Sequence, residues 1–291
     1  MGNAEDLPAR SGVSIVLPDW PCTAAADIRG GAPGTRETDL LNPSCLVEKV
    51  DAVTLSGGSV YGLDAASGVT AWLSAQGRGF RLGSTSLTAP IVPAAILFDL
   101  SNGGDKNWGM TPPYRALGIA GCEAAAKSFH LGNAGAGLGA SAGIYKGGLG
   151  SATFWAAPFA MNQELGEHRD VSGALDPAPM AGSKLDAAPG TNTTICVVAC
   201  NAILTPAQAQ RIAIMAHDGF ARAVRPVHTP LDGDVIFCLA SGVAPLPDPE
   251  PMNLAILGGV AADCVARALA RGVYEARSLG SLRGYRDVHG V

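Results

Sequence analysis

Thr193 and Thr194 sit between a turn-forming stretch, Pro189-Gly190-Thr191-Asn192, and an apolar run, Ile195-Cys196-Val197-Val198-Ala199-Cys200. The run reads as a buried strand, so the two hydroxyls stand at that strand's N-terminal edge. A threonine hydroxyl is a weak nucleophile alone, and an α-amine on the same residue is one of its activators. That amine titrates near pH ~8, so part of it accepts a proton at neutral pH. A cut between Asn192 and Thr193 would therefore create a nucleophile and its base on one residue. The pattern points to a self-cleaving N-terminal-nucleophile hydrolase with Thr193 as its working residue. Asn192-Thr193-Thr194 also fits the glycosylation sequon, which needs a secretory route.

A second cluster lies at Leu231-Asp232-Gly233-Asp234, just before the strand-like Val235-Ile236-Phe237-Cys238-Leu239-Ala240. If the two strands are neighbours, their N-terminal ends meet, and Asp232 and Asp234 come to lie beside Thr193. There the carboxylates could hold the new ammonium and orient the hydroxyl. Asp-Gly-Asp is also an ordinary hairpin turn. Ser56-Gly57-Gly58 joins a short strand to a helix-like segment, Val60–Leu73, where free backbone N–H groups could bind substrate. The other reading of that segment is tight helix packing through Gly62, Ala65, Ala66 and Gly68. Ser59 is not a nucleophile elbow, because Tyr61 occupies the position where that motif needs glycine. Gly135-Ala136-Gly137-Leu138-Gly139 only loosely imitates a dinucleotide loop, and no βαβ unit frames it.

Around these residues the chain alternates strand-like and helix-like stretches. Val13–Leu17, Ala52–Leu55, Ala94–Leu100, Tyr145–Phe154 and Phe154–Met161 read as strands, the last ending at Asn162. Ala24 to Leu41 reads as a strand end and a long loop around Arg29-Gly30-Gly31. Tyr114–Lys127 and Asn253–Arg271 read as helices. A third helix opens with Thr205 as N-cap and Pro206 as its first residue and runs to about Val224. Glu164 to Pro189 is polar and proline-bearing, which suits an exposed connector. Strands in pairs between long alanine- and glycine-rich helices fit helices packed on two stacked sheets.

The whole chain sets bounds on the partners. Of 291 residues, 47% are hydrophobic and 15% charged, with 38 glycines, which suits a compact, loop-rich enzyme. A net charge of −5 with no basic run argues against nucleic acid and anionic membrane. There is no signal-peptide pattern at the N-terminus and no uninterrupted apolar run of about 18 residues, so no membrane span is expected. Seven scattered cysteines, none in a CxxC pair, suit a reducing cytoplasm and not a disulfide or zinc framework.

Leu55-Ser56-Gly57-Gly58-Ser59 with Tyr61–Ala66, Lys146-Gly147-Gly148-Leu149-Gly150-Ser151, Asn192-Thr193-Thr194-Ile195, Met215–Gly219 and Arg225–Asp234 together resemble the DmpA-type family of N-terminal-nucleophile aminopeptidases. That family includes L-aminopeptidase/D-esterases, β-peptidyl aminopeptidases and nylon-oligomer (6-aminohexanoate) endohydrolases. The resemblance runs from about Gly12 to Arg271. It implies an α/β fold, a four-layer αββα sandwich of the DmpA/ornithine acetyltransferase type. It also implies self-cleavage at Asn192/Thr193 into an α chain, 1–192, and a β chain, 193–291, of one domain. Carried over by position, Thr193 is the nucleophile, Asp232 and Asp234 the acidic pair, and Asn162 an oxyanion donor. Lys146 lies two residues beyond the position at which the nylon-oligomer branch has a lysine, which Ile144 occupies here. Phe98 stands where some members have a tyrosine. The resemblance implies a small peptide or amide substrate, no cofactor, and a homo-oligomer of αβ units. An ornithine acetyltransferase-like acyl transferase and an uncleaved binding protein are the alternatives.

Overall fold

The computed structural model describes residues 1–81, 83–152 and 193–290. The expected strand at 154–161, Asn162, the connector at 164–189 and Asn192 lie outside the described residues.

Two sheets carry the fold. The first contains β1 (Gly2–Asp6), β2 (Ser11–Val16), β4 (Thr35–Arg36), β6 (Val53–Ser56) and β7 (Ala94–Ile96) in the order β1-β2-β6-β7-β4. The second contains β3 (Cys22–Ile28), β5 (Lys49–Val50), β10 (Ile195–Ala202) and β11 (Val235–Ala244) in the order β10-β11-β3-β5. A small hairpin, β8 (Ser141–Ala142) with β9 (Tyr145–Lys146), stands apart. The helices are α1 (Ala65–Ala75), α2 (Tyr114–Glu123), α3 (Pro206–Ala223), α4 (Glu250–Glu275) and the short α5 (Tyr285–His289).

The strand sequences explain the layering. Side chains alternate between faces every residue. On β11, Val235, Phe237 and Leu239 point to the layer between the sheets, while Ile236, Cys238 and Ala240 point to the helices. β10 divides the same way: Ile195 and Val197 face the other sheet, and Cys196, Val198 and Cys200 face α3 and α4. A strand covered on both faces must be apolar at every position, which is why β11 reads as an unbroken hydrophobic run over Val235–Ala240. On the first sheet, Val13 and Ile15 meet α1 and α2, and Val53, Leu55 and Ala95 meet the second sheet. The result is the four-layer αββα arrangement.

The helices are set close by small residues. A Cβ on Gly68 of α1 would stand 2.1 Å from the Arg115 carbonyl oxygen, and one on Gly118 of α2 would stand 2.2 Å from that of Ala65. The small residues of Val60–Leu73 therefore serve helix packing, and α1 begins only at Ala65, after a 3-10 turn over Ser59–Asp64. Helix α3 opens with a complete capping box between Thr205 and Gln208, with Pro206 at its first position. Helix α4 is longer than its sequence pattern suggests. Among the described residues it is the one helix whose length and composition would let it cross a membrane. In the fold, its Ala261 and Val265 join α3 in the core. The strand β1, a partner of β2 from Gly2↔Ile15 onward, has too weak an alternation to be seen in the sequence.

Candidate active site

β10 and β11 run parallel, paired from Ile195↔Val235 onward, so their N-terminal ends are neighbours. Asp232-Gly233-Asp234 is therefore not a hairpin turn. It delivers the chain into a parallel strand, and it places backbone and side-chain polar groups directly against Thr193 and Thr194.

Three contacts define the meeting point. The Gly233 N–H donates to Thr193 Oγ1 at 3.2 Å. The Thr194 N–H donates to Asp234 Oδ1 at 2.9 Å. The Val235 N–H donates to the Thr194 carbonyl at 3.1 Å, which starts the ladder. Asp234 is fully buried. Burial of a carboxylate is tolerated only with donors around it, and its other oxygen, Oδ2, accepts from the His228 N–H at 3.0 Å and faces His228 Nδ1 at 2.9 Å. Asp232 is also buried, and its Oδ2 accepts the Thr229 N–H at 2.7 Å. Asp234 thus reaches Thr194 directly, while Asp232 braces the turn that presents Gly233.

The turn is gripped from outside by the loop that follows β3. Arg29 N–H and Gly30 N–H both donate to the Asp234 carbonyl, at 3.0 and 3.2 Å. Ala32 N–H donates to the Asp232 carbonyl at 2.8 Å, and Gly31 N–H to that of Thr229 at 3.1 Å. This grip demands glycine: a Cβ on Gly30 would stand 2.2 Å from the Asp232 carbonyl oxygen. The Arg29-Gly30-Gly31 loop and His228 are the parts of the site that sequence reasoning missed. The paired glycines were the available signal for the loop.

Lys146, on β9, is fully buried. Its Nζ donates to the carbonyls of Gly137 at 2.8 Å and Gly147 at 2.5 Å. Burial pushes its ammonium down to about 7, and the Asp99 charge opposes that shift. A lysine in this range is partly neutral at neutral pH and can exchange a proton there. Gly137 and Gly147 line the concavity that Thr193 faces, as do Leu55, Leu97, Ala136 and Ala140. Lys146 therefore lies behind the wall of that concavity, without a hydrogen bond to Thr193.

Ser56, Gly57 and Gly58 belong to a different network. Gly57 N–H donates to the Gly12 carbonyl, Gly58 N–H to Asp99 Oδ1 at 2.8 Å, and Ser56 Oγ to the Gly57 carbonyl. The Ser59 N–H is taken by the Leu97 carbonyl. The free amides expected of this turn are thus used inside the fold. Gly58 sits at φ +83°, in the left-handed region, and a Cβ there would meet the Tyr114 ring at 2.0 Å. Burial raises the carboxyl of Asp99 above its usual range. The glycine run at 135–139 is engaged as well, with Gly135 N–H on Glu5 Oε1 and Ala136 N–H on Ser14 Oγ.

Comparison with known proteins agrees with this architecture. The model of peptidase family S58 matches residues 2–286. An uncharacterized aminopeptidase of Mycobacterium tuberculosis (strain ATCC 25618 / H37Rv) is 41% identical over 313 residues, covering 95% of this chain and 89% of that one. A 6-aminohexanoate-oligomer endohydrolase of Kocuria sp. (strain KY2) is 26% identical, covering 90% of this chain and 80% of that one. The L-aminopeptidase D-Ala-esterase/amidase of Ochrobactrum anthropi, described as a variant of the Ntn hydrolase fold, superposes with a TM-score of 0.64 at 21% identity. The superposition covers 92% of this chain and 78% of that structure.

Proposed function

The chain belongs to peptidase family S58, and from that membership we propose that this hydrolase of peptide or amide bonds is self-processing, with Thr193 as its nucleophile. In maturation the Thr193 hydroxyl attacks the Asn192 carbonyl and the acyl group moves from nitrogen to oxygen. Water then hydrolyses the ester and leaves residues 1–192 and 193–291 as two chains of one domain. In turnover the freed Thr193 amine takes the hydroxyl proton, and the oxygen attacks the substrate amide. The amine leaving group departs with a proton, and water resolves the acyl-enzyme. Asn162 is assigned to the oxyanion, with backbone N–H groups beside it. Lys146, buried behind the wall, is assigned to holding the Gly137 and Gly147 carbonyls that shape it. No metal or organic cofactor enters these steps.

The single observation that carries this reading is the Gly233 N–H on Thr193 Oγ1. It fixes a hydroxyl at the first turn-to-strand position, beside a buried carboxylate. The relatives are, by their names, an aminopeptidase and a 6-aminohexanoate-oligomer endohydrolase. The aliphatic wall of Leu55, Leu97, Ala136 and Ala140 favours small peptides and aliphatic amides of that kind as substrates. Intact mass under denaturing conditions tests the proposal. Two chains meeting at Asn192/Thr193 in the wild type and one in Thr193→Ala are expected. A wild-type chain that stays whole after prolonged incubation refutes it.

A further inference from the structure

His228 is a non-glycine residue at φ +57°, in the left-handed region that L side chains rarely adopt. The strained backbone has a definite consequence. It turns the residue's own N–H and its ring Nδ1 toward one atom, Asp234 Oδ2, at 3.0 and 2.9 Å. A carboxylate only accepts, so Nδ1 carries the proton. The ring is held on its other side by stacking. It meets His217 edge-on, with centroids 4.7 Å apart, and Phe220 at 6.0 Å. His217 is anchored in turn, its Nε2 lying 3.1 Å from the Asp27 carbonyl and 3.3 Å from Asp27 Oδ2. The line from β3 through α3 to the acidic turn is continuous: Asp27, His217, His228, Asp234, then the Thr194 amide.

We propose that His228 is a positioning residue that locks the Asp234 carboxylate, so that its free oxygen holds the Thr193–Thr194 peptide and aims the Thr193 hydroxyl. The inference rests on Thr193 being the nucleophile. With Oδ2 held by two donors, the carboxylate plane is fixed and Oδ1 points at the Thr194 N–H. Without the ring, one backbone donor remains on Oδ2 and the carboxylate can rotate about its Cβ–Cγ bond. The peptide that carries the nucleophile is then free to drift by a fraction of an ångström. Such drift costs rate and leaves substrate binding untouched.

The test compares three variants with the wild type for the rate of self-cleavage, by intact mass, and for kcat and KM on a small amide substrate. His228→Gly keeps the left-handed backbone and its N–H but loses the ring. His228→Asn tolerates the same backbone, and its side-chain amide can stand where Nδ1–H stands. His228→Gln carries its donor one bond too far out. The expected result is a fall in kcat of roughly 10²-fold in the glycine and glutamine variants. KM should stay near the wild-type value, and asparagine should recover most of the lost rate. If the glycine variant does not accumulate as folded protein, the glutamine–asparagine pair makes the same comparison. A glycine or glutamine variant as fast as the wild type, or an asparagine variant no faster than glutamine, overturns the proposal while leaving Thr193 as nucleophile. A wild type that never cleaves overturns both.

Discussion

Gly233 donates its backbone N–H to Thr193 Oγ1 at 3.2 Å, and a Cβ built on Gly233 would lie 3.0 Å from both Oγ1 and Cγ2 of the same threonine. The glycine is thus at once the hydroxyl's donor and the reason there is room for it. Its backbone is not in the left-handed region, so Gly233→Ala should fold. The added methyl must push the threonine side chain by a few tenths of an ångström, because the Ala32 carbonyl oxygen at 3.2 Å closes the other side. A displacement on that scale at the proposed nucleophile should lower kcat/KM by roughly 10- to 100-fold. Steady-state kinetics beside a thermal melt would check this. Loss of rate with an unchanged melting temperature is the expected pair.

The Arg29–Ala32 loop grips the acidic turn by its backbone, while the Arg29 side chain turns away to Asp27 and the Ile214 carbonyl. In Gly30→Ala the new Cβ meets the Asp232 carbonyl oxygen at 2.2 Å and the Asp234 amide nitrogen at 2.4 Å. Both are backbone atoms and cannot swing aside. Overpacking of this kind costs about 1–3 kcal/mol, and here it also displaces the turn that holds Thr193. Gly30→Ala should lower the denaturation midpoint and slow self-cleavage together, whereas Gly233→Ala should affect rate alone. Equal stability in the two variants would refute the division of roles.

The site was legible in the sequence as far as its strands were. Apolar runs at Ile195 and Val235 located β10 and β11, and the polar residues before each run marked the strand ends. Their parallel pairing then brought Thr193 and Asp234 together. The amides at Ser56-Gly57-Gly58 were not legible for a physical reason: a glycine turn with free amides and one whose amides are taken by Gly12, Asp99 and Leu97 have the same local sequence. His228 was hidden because its role depends on a left-handed backbone and on His217, a partner on α3. Neither a dihedral angle nor a contact between distant segments leaves a periodic trace.

The buried Lys146 makes stability depend on pH in a stated direction. Its ammonium falls to about 7 in the folded protein, from its ordinary value near ~10.4 when unfolded. Between these values the unfolded chain binds the proton and the folded chain releases it, so folding becomes more favourable as pH rises. The penalty is complete below about 7 and vanishes above the unfolded value. Lys146→Met removes the titration along with the bonds to the Gly137 and Gly147 carbonyls. Urea midpoints at pH 7 and pH 10 should therefore show the wild type gaining on the variant as pH rises. A difference that stays constant across this window would place the ammonium outside the buried site described.

Asp234→Asn tests the acidic residue that touches the threonine pair. The carboxylate offers two acceptors: Oδ1 takes the Thr194 N–H, and Oδ2 takes the N–H and Nδ1 of His228. An asparagine offers one acceptor and one donor in the same volume. Whichever way it flips, an N–H group faces another N–H group in a fully buried place. A buried donor left unsatisfied costs about 1–3 kcal/mol, so the variant should unfold at lower denaturant. Its self-cleavage should slow by at least the roughly 10²-fold expected for a misplaced nucleophile. Asp234→Glu keeps both acceptors but moves them by one carbon, and it should not recover the rate. A stable, fully active Asp234→Asn would show that the carboxylate neither holds the Thr194 amide nor aims the nucleophile, and Thr193 would need another anchor.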